Sequence, residues 1–398
     1  MRPSLTGNCV LRCQHASGYS PVTINSHATN SISGGAILNS GNFRPKLRAQ
    51  EAQTWHPIYP DLFVDLRARA NEALSAKLEL AGAMLRQSSE EVREKVKIRE
   101  VDVRPDLRMK SCIAADSSSY PLPFAISRMA LIGAIAVRHP TRKPVSVAGQ
   151  LLDLEPRFAS SDFQVYLGAV RESMIPRAVL DQLSRYGPAD LILIDGPLSI
   201  SQWYNLASAE VVRRAVLELV GSRNDLLNAG AKDGIDLIGV VKKSESMYFQ
   251  KAYGLSGGLS DQFLFNQVLQ FGERTEEISI TEQIIAAATG AAMVEKMDHQ
   301  IYGFYIKTSR NPLTPPLRIE FPDYVKGRVD DLASYVLSTS LESFDYKYDG
   351  LPQAQCIAHR DGKVTKDAMS AIVQEQIAKM SSSEDSLRLL SLFAEQGG

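Results

Sequence analysis

The run Ala189-Asp190-Leu191-Ile192-Leu193-Ile194-Asp195-Gly196-Pro197-Leu198 constrains this 398-residue chain more than any other stretch. An apolar segment closed by Gly-Pro reads as a strand covered on both faces, which means a parallel strand with helices above and below it. It delivers Asp195 to the strand's carboxyl end, where open α/β sheets place their ligand sites. A second apolar run, Cys112-Ile113-Ala114-Ala115-Asp116-Ser117-Ser118-Ser119, has the same form and stops at Asp116. Two strand ends with one carboxylate each can share a divalent cation.

The pattern around these strands sets the topology. Residues 129–137 and 145–152 read as strands on either side of the basic, proline-bounded turn from Arg138 to Pro144, which makes an antiparallel meander with the Asp116 strand. Ser160-Ser161-Asp162 caps a helix through Tyr166, Leu167, Val170 and Glu172, and Pro176 is expected to kink it or begin a second segment. After the Asp195 strand, a helix opens at Ser208-Ala209-Glu210 and a buried strand follows from Ile235 to Lys242. Helix, strand, helix, strand implies right-handed crossovers and a parallel half-sheet. The expected fold class is therefore α/β, a ribonuclease-H-like mixed sheet of antiparallel meander plus parallel strands, flanked by helices. Farther on come a capped helix near Ser260, a hairpin of 301–307 with 317–321, a helix over 329–341 and a last helix from about Thr365.

Domain organisation follows from composition shifts. Residues 1–50, rich in Ser, Asn, Gly and Thr without periodicity, read as a poorly ordered leader. Residues 51–104 form an N-terminal helical segment whose long amphipathic helix, Pro60 to about Val96, is expected to break near Ser88-Ser89 and to serve core packing or dimerisation. Residues 105–398 form the catalytic domain.

Composition excludes several classes. With 44% hydrophobic and 22% charged residues the chain is an ordinary globular protein, and no run of about 18 apolar residues marks a membrane span. A net charge of -1 confines any nucleic-acid contact to local patches. Four cysteines are too few for a disulfide scaffold and point to the reducing cytoplasm, and Cys9, Cys13 and His15 lack the second ligand pair of a zinc site. Gly254-Leu255-Ser256-Gly257-Gly258 has no Gly-Lys-Ser/Thr ending and is no P-loop, and the serines after Asp116 lack a nucleophile elbow.

A single strand-end aspartate is usually just a turn former. Two in this order, with Glu172 on the intervening helix, form a hard oxygen cluster that only a cation such as Mg²⁺ or Mn²⁺ makes tolerable. Two ions about 4 Å apart would serve phosphodiester hydrolysis. His359 closes an apolar stretch beside Arg360 and Lys363, and its imidazole favours Mn²⁺ over Mg²⁺. Lys242, at the end of the third buried strand, is expected on a phosphate. Arg138, Arg142, Lys143, Lys242, Lys243, Arg360 and Lys363 are the basic residues available to a DNA groove.

In order along the chain, Ala114-Ala115-Asp116-Ser117-Ser118, Ile192 to Leu198, Ile238 to Lys242, Ser260-Asp261, Leu317 to Glu320 and Ala358-His359-Arg360 resemble the NurA nuclease family over roughly residues 105 to 380. The resemblance implies a ribonuclease-H-like, Mn²⁺-dependent exo- and endonuclease acting on single- and double-stranded DNA. It also implies a homodimer that docks on HerA, a hexameric DNA-translocating ATPase, in end resection or phage defence. By carry-over Asp116 and Asp195 are metal ligands, His359 is the C-terminal member of the site, and Glu172 is the helical acid. The family's tyrosine before the histidine falls near Gly350, so Tyr348 or Tyr346 must shift to serve. That departure and the near-neutral net charge motivate a second reading, a weak or inactive nuclease-like subunit that binds and regulates a HerA-type motor.

Overall fold

The computed structural model describes residues 60–123, 128–154, 160–206, 209–255, 258–288, 293–343 and 348–364, with 368, 371, 372 and 375 beyond them. The expected leader, the start of the helix from Thr365, and Tyr346 lie outside the described residues, while 368, 371, 372 and 375 are helical. Two compact units divide the chain: residues 9–82, and residues 1–8 with 83–398.

Helix α1 (Pro60–Lys95) crosses that division without the break expected at Ser88-Ser89. Ser88 is itself buried, so the serine pair is part of a packed helix face and not a stop. In the first unit Leu62, Val64, Leu66 and Leu74 are exposed, whereas Val92, in the second, is fully buried in that unit's core.

The sheet is built around the five strands the sequence implied. β2 (Cys112–Pro123), β3 (Arg128–His139) and β4 (Val145–Leu154) form the antiparallel meander. β5 (Leu191–Asp195) and β6 (Asp236–Val241) add to β2 in parallel through α2 (Ser160–Tyr186) and α3 (Glu210–Asp233). The resulting order β4-β3-β2-β5-β6 is the ribonuclease-H-like one. Pro176 neither ends α2 nor splits it, and the helix runs on to Tyr186. Beyond β6 the sheet continues antiparallel through β10 (Leu317–Pro322) and β9 (Ile301–Ile306), then β7 (Glu273–Thr275) and the edge strand β1 (Ile98–Glu100); β8 (Ile278–Ser279) pairs with β9. The short helices α4 (Tyr248–Tyr253), α5 (Asp261–Val268) and α6 (Ile280–Ala287) fill the connection from β6 to β9, and α7 (Val329–Ser340) and α8 (Gln353–Asp361) follow β10.

Strand alternation sorts the two layers. Ile113, Ala115, Ile192, Ile194 and Leu237 point into one core with Val170 and Met174 of α2 and Val216 of α3. Cys112, Ala114, Leu191, Leu193, Ile238 and Val240 point into the other, with Leu332 and Val336 of α7 and Ala354 and Ala358 of α8.

Candidate metal centre

The same alternation positions the acids. The parallel ladder of β2 and β5 pairs Cys112 with Leu191 and ends at Ala115 with Ile194. Asp116 and Asp195 are each one step past the last rung, on the α8 side of the sheet, so in-register pairing makes them neighbours. β2 does not stop at Asp116, as its serines suggested. It runs on to Pro123 because β3 pairs with it along its whole length, and only the β5 ladder ends there. Lys242, two steps beyond Val240, falls on the same side at the end of β6.

α8 closes the site from above. Ala354 and Ala358 anchor it in the core, and the Ser118 hydroxyl donates to the Gly362 carbonyl and accepts from the Val364 amide, both at 2.6 Å. His359 Nδ1 thereby stands 2.7 Å from Asp116 Oδ2 and 3.3 Å from Asp195 Oδ2. Lys242 Nζ pairs with Asp195 Oδ2 and lies 3.4 Å from His359 Nδ1. Asp116, Asp195 and His359 offer ligand atoms all within 4.8 Å of one another. The Tyr348 ring meets the His359 ring edge-on at 5.5 Å, so the tyrosine that the sequence left out of register is beside the histidine after all.

Electrostatics follows from this crowding. Burial, then the neighbouring Asp195 charge, pushes the Asp116 carboxyl up, against the pull of His359. Burial also acts on Asp195, but the His359 hydrogen bond and the Lys242 charge outweigh it and hold that carboxyl below its ordinary value. The bond to Asp195 raises His359 against burial and the Lys242 charge. The two carboxyls are thus pushed in opposite directions, Asp195 down by His359 and Lys242 and Asp116 up by burial and Asp195.

Glu172 is not one of the three residues within 4.8 Å, although it lines the same cavity at the carboxyl edge of the strands. It belongs to α2, in the layer on the other side of the sheet from α8. Its Oε2 accepts from Arg223 Nη2 at 2.5 Å and its Oε1 from the Tyr204 hydroxyl at 2.8 Å. Its role is to hold Arg223, whose Nη1 donates to the carbonyls of Leu198 (2.9 Å) and Ser199 (2.6 Å). From the opposite side the fully buried Glu320 of β10 accepts from the amides of the same two residues at 2.8 and 2.9 Å. The turn after Asp195 is therefore gripped at both donors and acceptors. Gly196, at φ +120°, makes the turn, and Gly239 lets it lie close: a Cβ there would meet the Gly196 carbonyl oxygen at 2.6 Å. Sequence reasoning missed this clamp, and the buried Arg-x-Glu of β10 was its one visible signal.

The basic residues expected around a groove divide. Lys242 is inside the acid cluster and not on an outer wall. Lys243 is exposed on the rim of a cavity of about 860 Å³ that Asp116, Glu172, Asp195 and His359 all line. Arg360 pairs with Asp361 at 2.8 Å, and Lys363 is exposed. Arg138 is committed to the carbonyls of Gly187 and Pro188 at 2.7 and 3.0 Å.

Comparison with known proteins agrees with this architecture. No curated protein matches the chain in sequence. Among solved structures, the NurA nuclease from Sulfolobus solfataricus superposes with a TM-score of 0.57 at 15% identity, covering 81% of this chain and 98% of that one. A further NurA structure gives 0.52 at 9% identity over 79% of this chain and 99% of its own. A NurA bound to dAMP and manganese gives 0.50 at 10% identity, over 77% and 94%. The sequence itself matches the NurA domain over residues 86–364, more than two thirds of its length. The chain belongs to the NurA family.

Proposed function

We propose that this protein is a metal-dependent deoxyribonuclease, a phosphodiester hydrolase, with Asp116, Asp195 and His359 holding a divalent cation. The observation that carries the reading is the convergence of two carboxylates and an imidazole from β2, β5 and α8 within 4.8 Å. The donor set fits the group: two hard oxygens and one imidazole nitrogen suit Mn²⁺ better than Mg²⁺. The manganese and dAMP of the related NurA structure support the same choice of ion and substrate class. When bound, the cation supplies Lewis-acid charge at the scissile phosphate. Glu172 lines the same cavity and is the acid that would serve a second ion, its carboxylate now pairing with Arg223 and Tyr204.

The side chains divide the remaining work. The clamp of Glu320 and Arg223 on residues 198 and 199 fixes the backbone that presents Asp195. Lys242 places positive charge where the phosphate's negative charge grows, while His359, as a ligand of the cation, serves as a neutral imidazole. Tyr348 packs the imidazole in its orientation. Family membership supports the broader assignments: exo- and endonucleolytic action on single- and double-stranded DNA, a homodimer, a HerA-type hexameric ATPase as partner, and end processing or phage defence in the cytoplasm. Among the described residues no helix is long and apolar enough to cross a membrane. The placement of Tyr348 against His359 favours the active enzyme over the weak or inactive subunit that regulates a HerA-type motor.

The test is Asp195→Ala, assayed on labelled DNA with Mn²⁺. Cleavage is abolished while the circular dichroism spectrum and oligomeric state stay as in the parent chain. Full Mn²⁺-dependent activity of that variant contradicts the assignment.

A further inference from the structure

A second cavity, of about 760 Å³, opens beside the first and shares Pro197, Val241 and Lys243 with it. It lies at the same carboxyl edge of β5 and β6, between the turn after Asp195 and the connection from β6 to α4. Its volume is in the range that takes a small organic ligand or a short stretch of one. Nothing in the acid cluster uses it.

Its lining combines an aromatic plate with cationic rim groups. Trp203, in the short helical turn Gln202–Leu206, is 53% exposed although tryptophan is a costly side chain to leave in water. Among the described residues its indole makes no ring contact. Lys243 and Lys251 are both exposed on the rim, and neither makes an ion pair among the described residues. Glu245 is the one carboxylate that lines the cavity. The guanidinium of Arg318 forms the floor, fixed by Glu320 at 2.8 Å and by the hydroxyls of Ser244 and Ser246, each at 2.6 Å. Glu320 is the residue that also grips the turn of Asp195, so floor and acid cluster share one buried support.

From this we infer that the second cavity is a strand-binding subsite for unpaired DNA, with a base stacked on Trp203 and its phosphates carried by Lys243 and Lys251. The inference rests on the nuclease reading and extends it. A base can lie flat on an indole only when it is free of its partner strand, which selects single-stranded over duplex substrate. Lys243, common to both cavities, bridges the phosphate at Trp203 and the one at the acid cluster. The strand so held reaches Asp195 along the Pro197 turn.

Binding can be read without cleavage. The chain has two tryptophans, Trp55 and Trp203. The full-length protein in EDTA is titrated with a twelve-residue oligodeoxythymidylate, following tryptophan emission and the anisotropy of a labelled strand. Emission is quenched on binding in the parent chain, and Trp203→Phe abolishes most of that quench. Trp203→Ala weakens the strand about tenfold, the effect of one stacked base. Lys243→Ala with Lys251→Ala lowers affinity and reduces the salt slope by about 1.4, two single-strand phosphate contacts. Lys232→Ala, at the far end of α3, is the charge control and changes neither. The inference is overturned if Trp203→Ala binds within twofold of the parent, if no quench depends on Trp203, or if a blunt duplex loses affinity equally. Mn²⁺-dependent cleavage is measured separately. A chain that shows the Trp203 effect without cleaving refutes the nuclease reading alone, and one that cleaves without the effect refutes the subsite alone.

Discussion

Arg223→Met tests the clamp behind Asp195. The guanidinium is 6% exposed and makes three short bonds: two to the Leu198 and Ser199 carbonyls and one to Glu172. Methionine fills much of the stem's volume but supplies no donor. Removing one partner of a buried ion pair costs about 3–5 kcal/mol, since the other is left with its charge. Here Glu172 keeps the Tyr204 hydroxyl, which places that part near the lower limit. Each orphaned carbonyl adds about 1 kcal/mol. The expected loss is about 5 kcal/mol, a large share of the 5–15 typical of a domain.

The double variant separates pairing from packing. Glu172→Gln alone preserves the acceptor for Tyr204 and is expected to cost about 2 kcal/mol. Combined with Arg223→Met it leaves no uncompensated charge, so the two effects sum to about 2 kcal/mol less than additivity. Urea unfolding gives the energies, with m compared across variants to show that the unfolding transition is the same one. Calorimetric titration with Mn²⁺ gives the consequence at the site: loosening the turn weakens the ion about 10–100-fold, the usual effect of losing a group that orients a ligand. Strictly additive energies together with unchanged Mn²⁺ affinity would refute the claim that Glu172 acts on Asp195 through Arg223.

Two further outcomes are expected. Gly239→Ala drives a methyl to 2.6 Å from the Gly196 carbonyl oxygen and 2.9 Å from Leu198 Cγ, so the turn must move; a loss of about 3 kcal/mol and weaker Mn²⁺ binding follow, and wild-type melting of this variant would show that the approach is not tight. Asp261 is fully buried, and burial lifts its carboxyl to about 6 even though the amides of Phe249 and Gln250 donate to it. Its folded value exceeds the unfolded one, about 3.9, so its contribution is fully present below pH 4 and is lost as pH rises through about 6, an effect of about 3 kcal/mol. The stability difference between Asp261→Asn and the parent therefore moves in the variant's favour by about 2 kcal/mol between pH 4 and 6.5 in urea titrations, and a difference flat with pH would contradict it.

Much of the site was legible because strand periodicity carries real information. Apolar runs bounded by turn residues located β2, β5 and β6, and their last polar residues were Asp116, Asp195 and Lys242. The serines after Asp116 misled, because a small polar residue ends a strand only where no neighbour pairs with it, and β3 does pair. Glu172 stands apart from the three clustered ligands for a deeper reason. Helix periodicity gives the face a residue occupies on its own helix but not the side of the sheet on which that helix packs. Residues 112, 114 and 116 share a side with 191, 193 and 195, and α8 covers that side while α2 covers the other. That distinction depends on crossover geometry across some 240 residues, from Asp116 to His359, which no local window contains. Lys242 was placed on the correct strand end, yet its partner could not be read, since only the register of β5 against β6, Asp195 opposite Val240, brings its ammonium to the carboxylate.

The in-register pairing that builds the centre also creates its main physical difficulty. Any two parallel strands ending in Asp on one side of a sheet bring two carboxylates together, and their repulsion opposes the sheet that carries them. This chain answers with Lys242 and His359, one from the next parallel strand and one from the covering helix, so the acids are compensated before any ion arrives. A cation entering the cluster then competes with an ammonium for Asp195, and its gain is the difference between the two interactions and not the whole of its own. Burial and the Asp195 charge push the Asp116 carboxyl up, so a cation proposed there would relieve the acid least served by Lys242. For that reason rigidity behind Asp195 matters: Glu320 and Arg223 hold the turn in place whichever cation is present, so exchanging one for the other need not move the backbone.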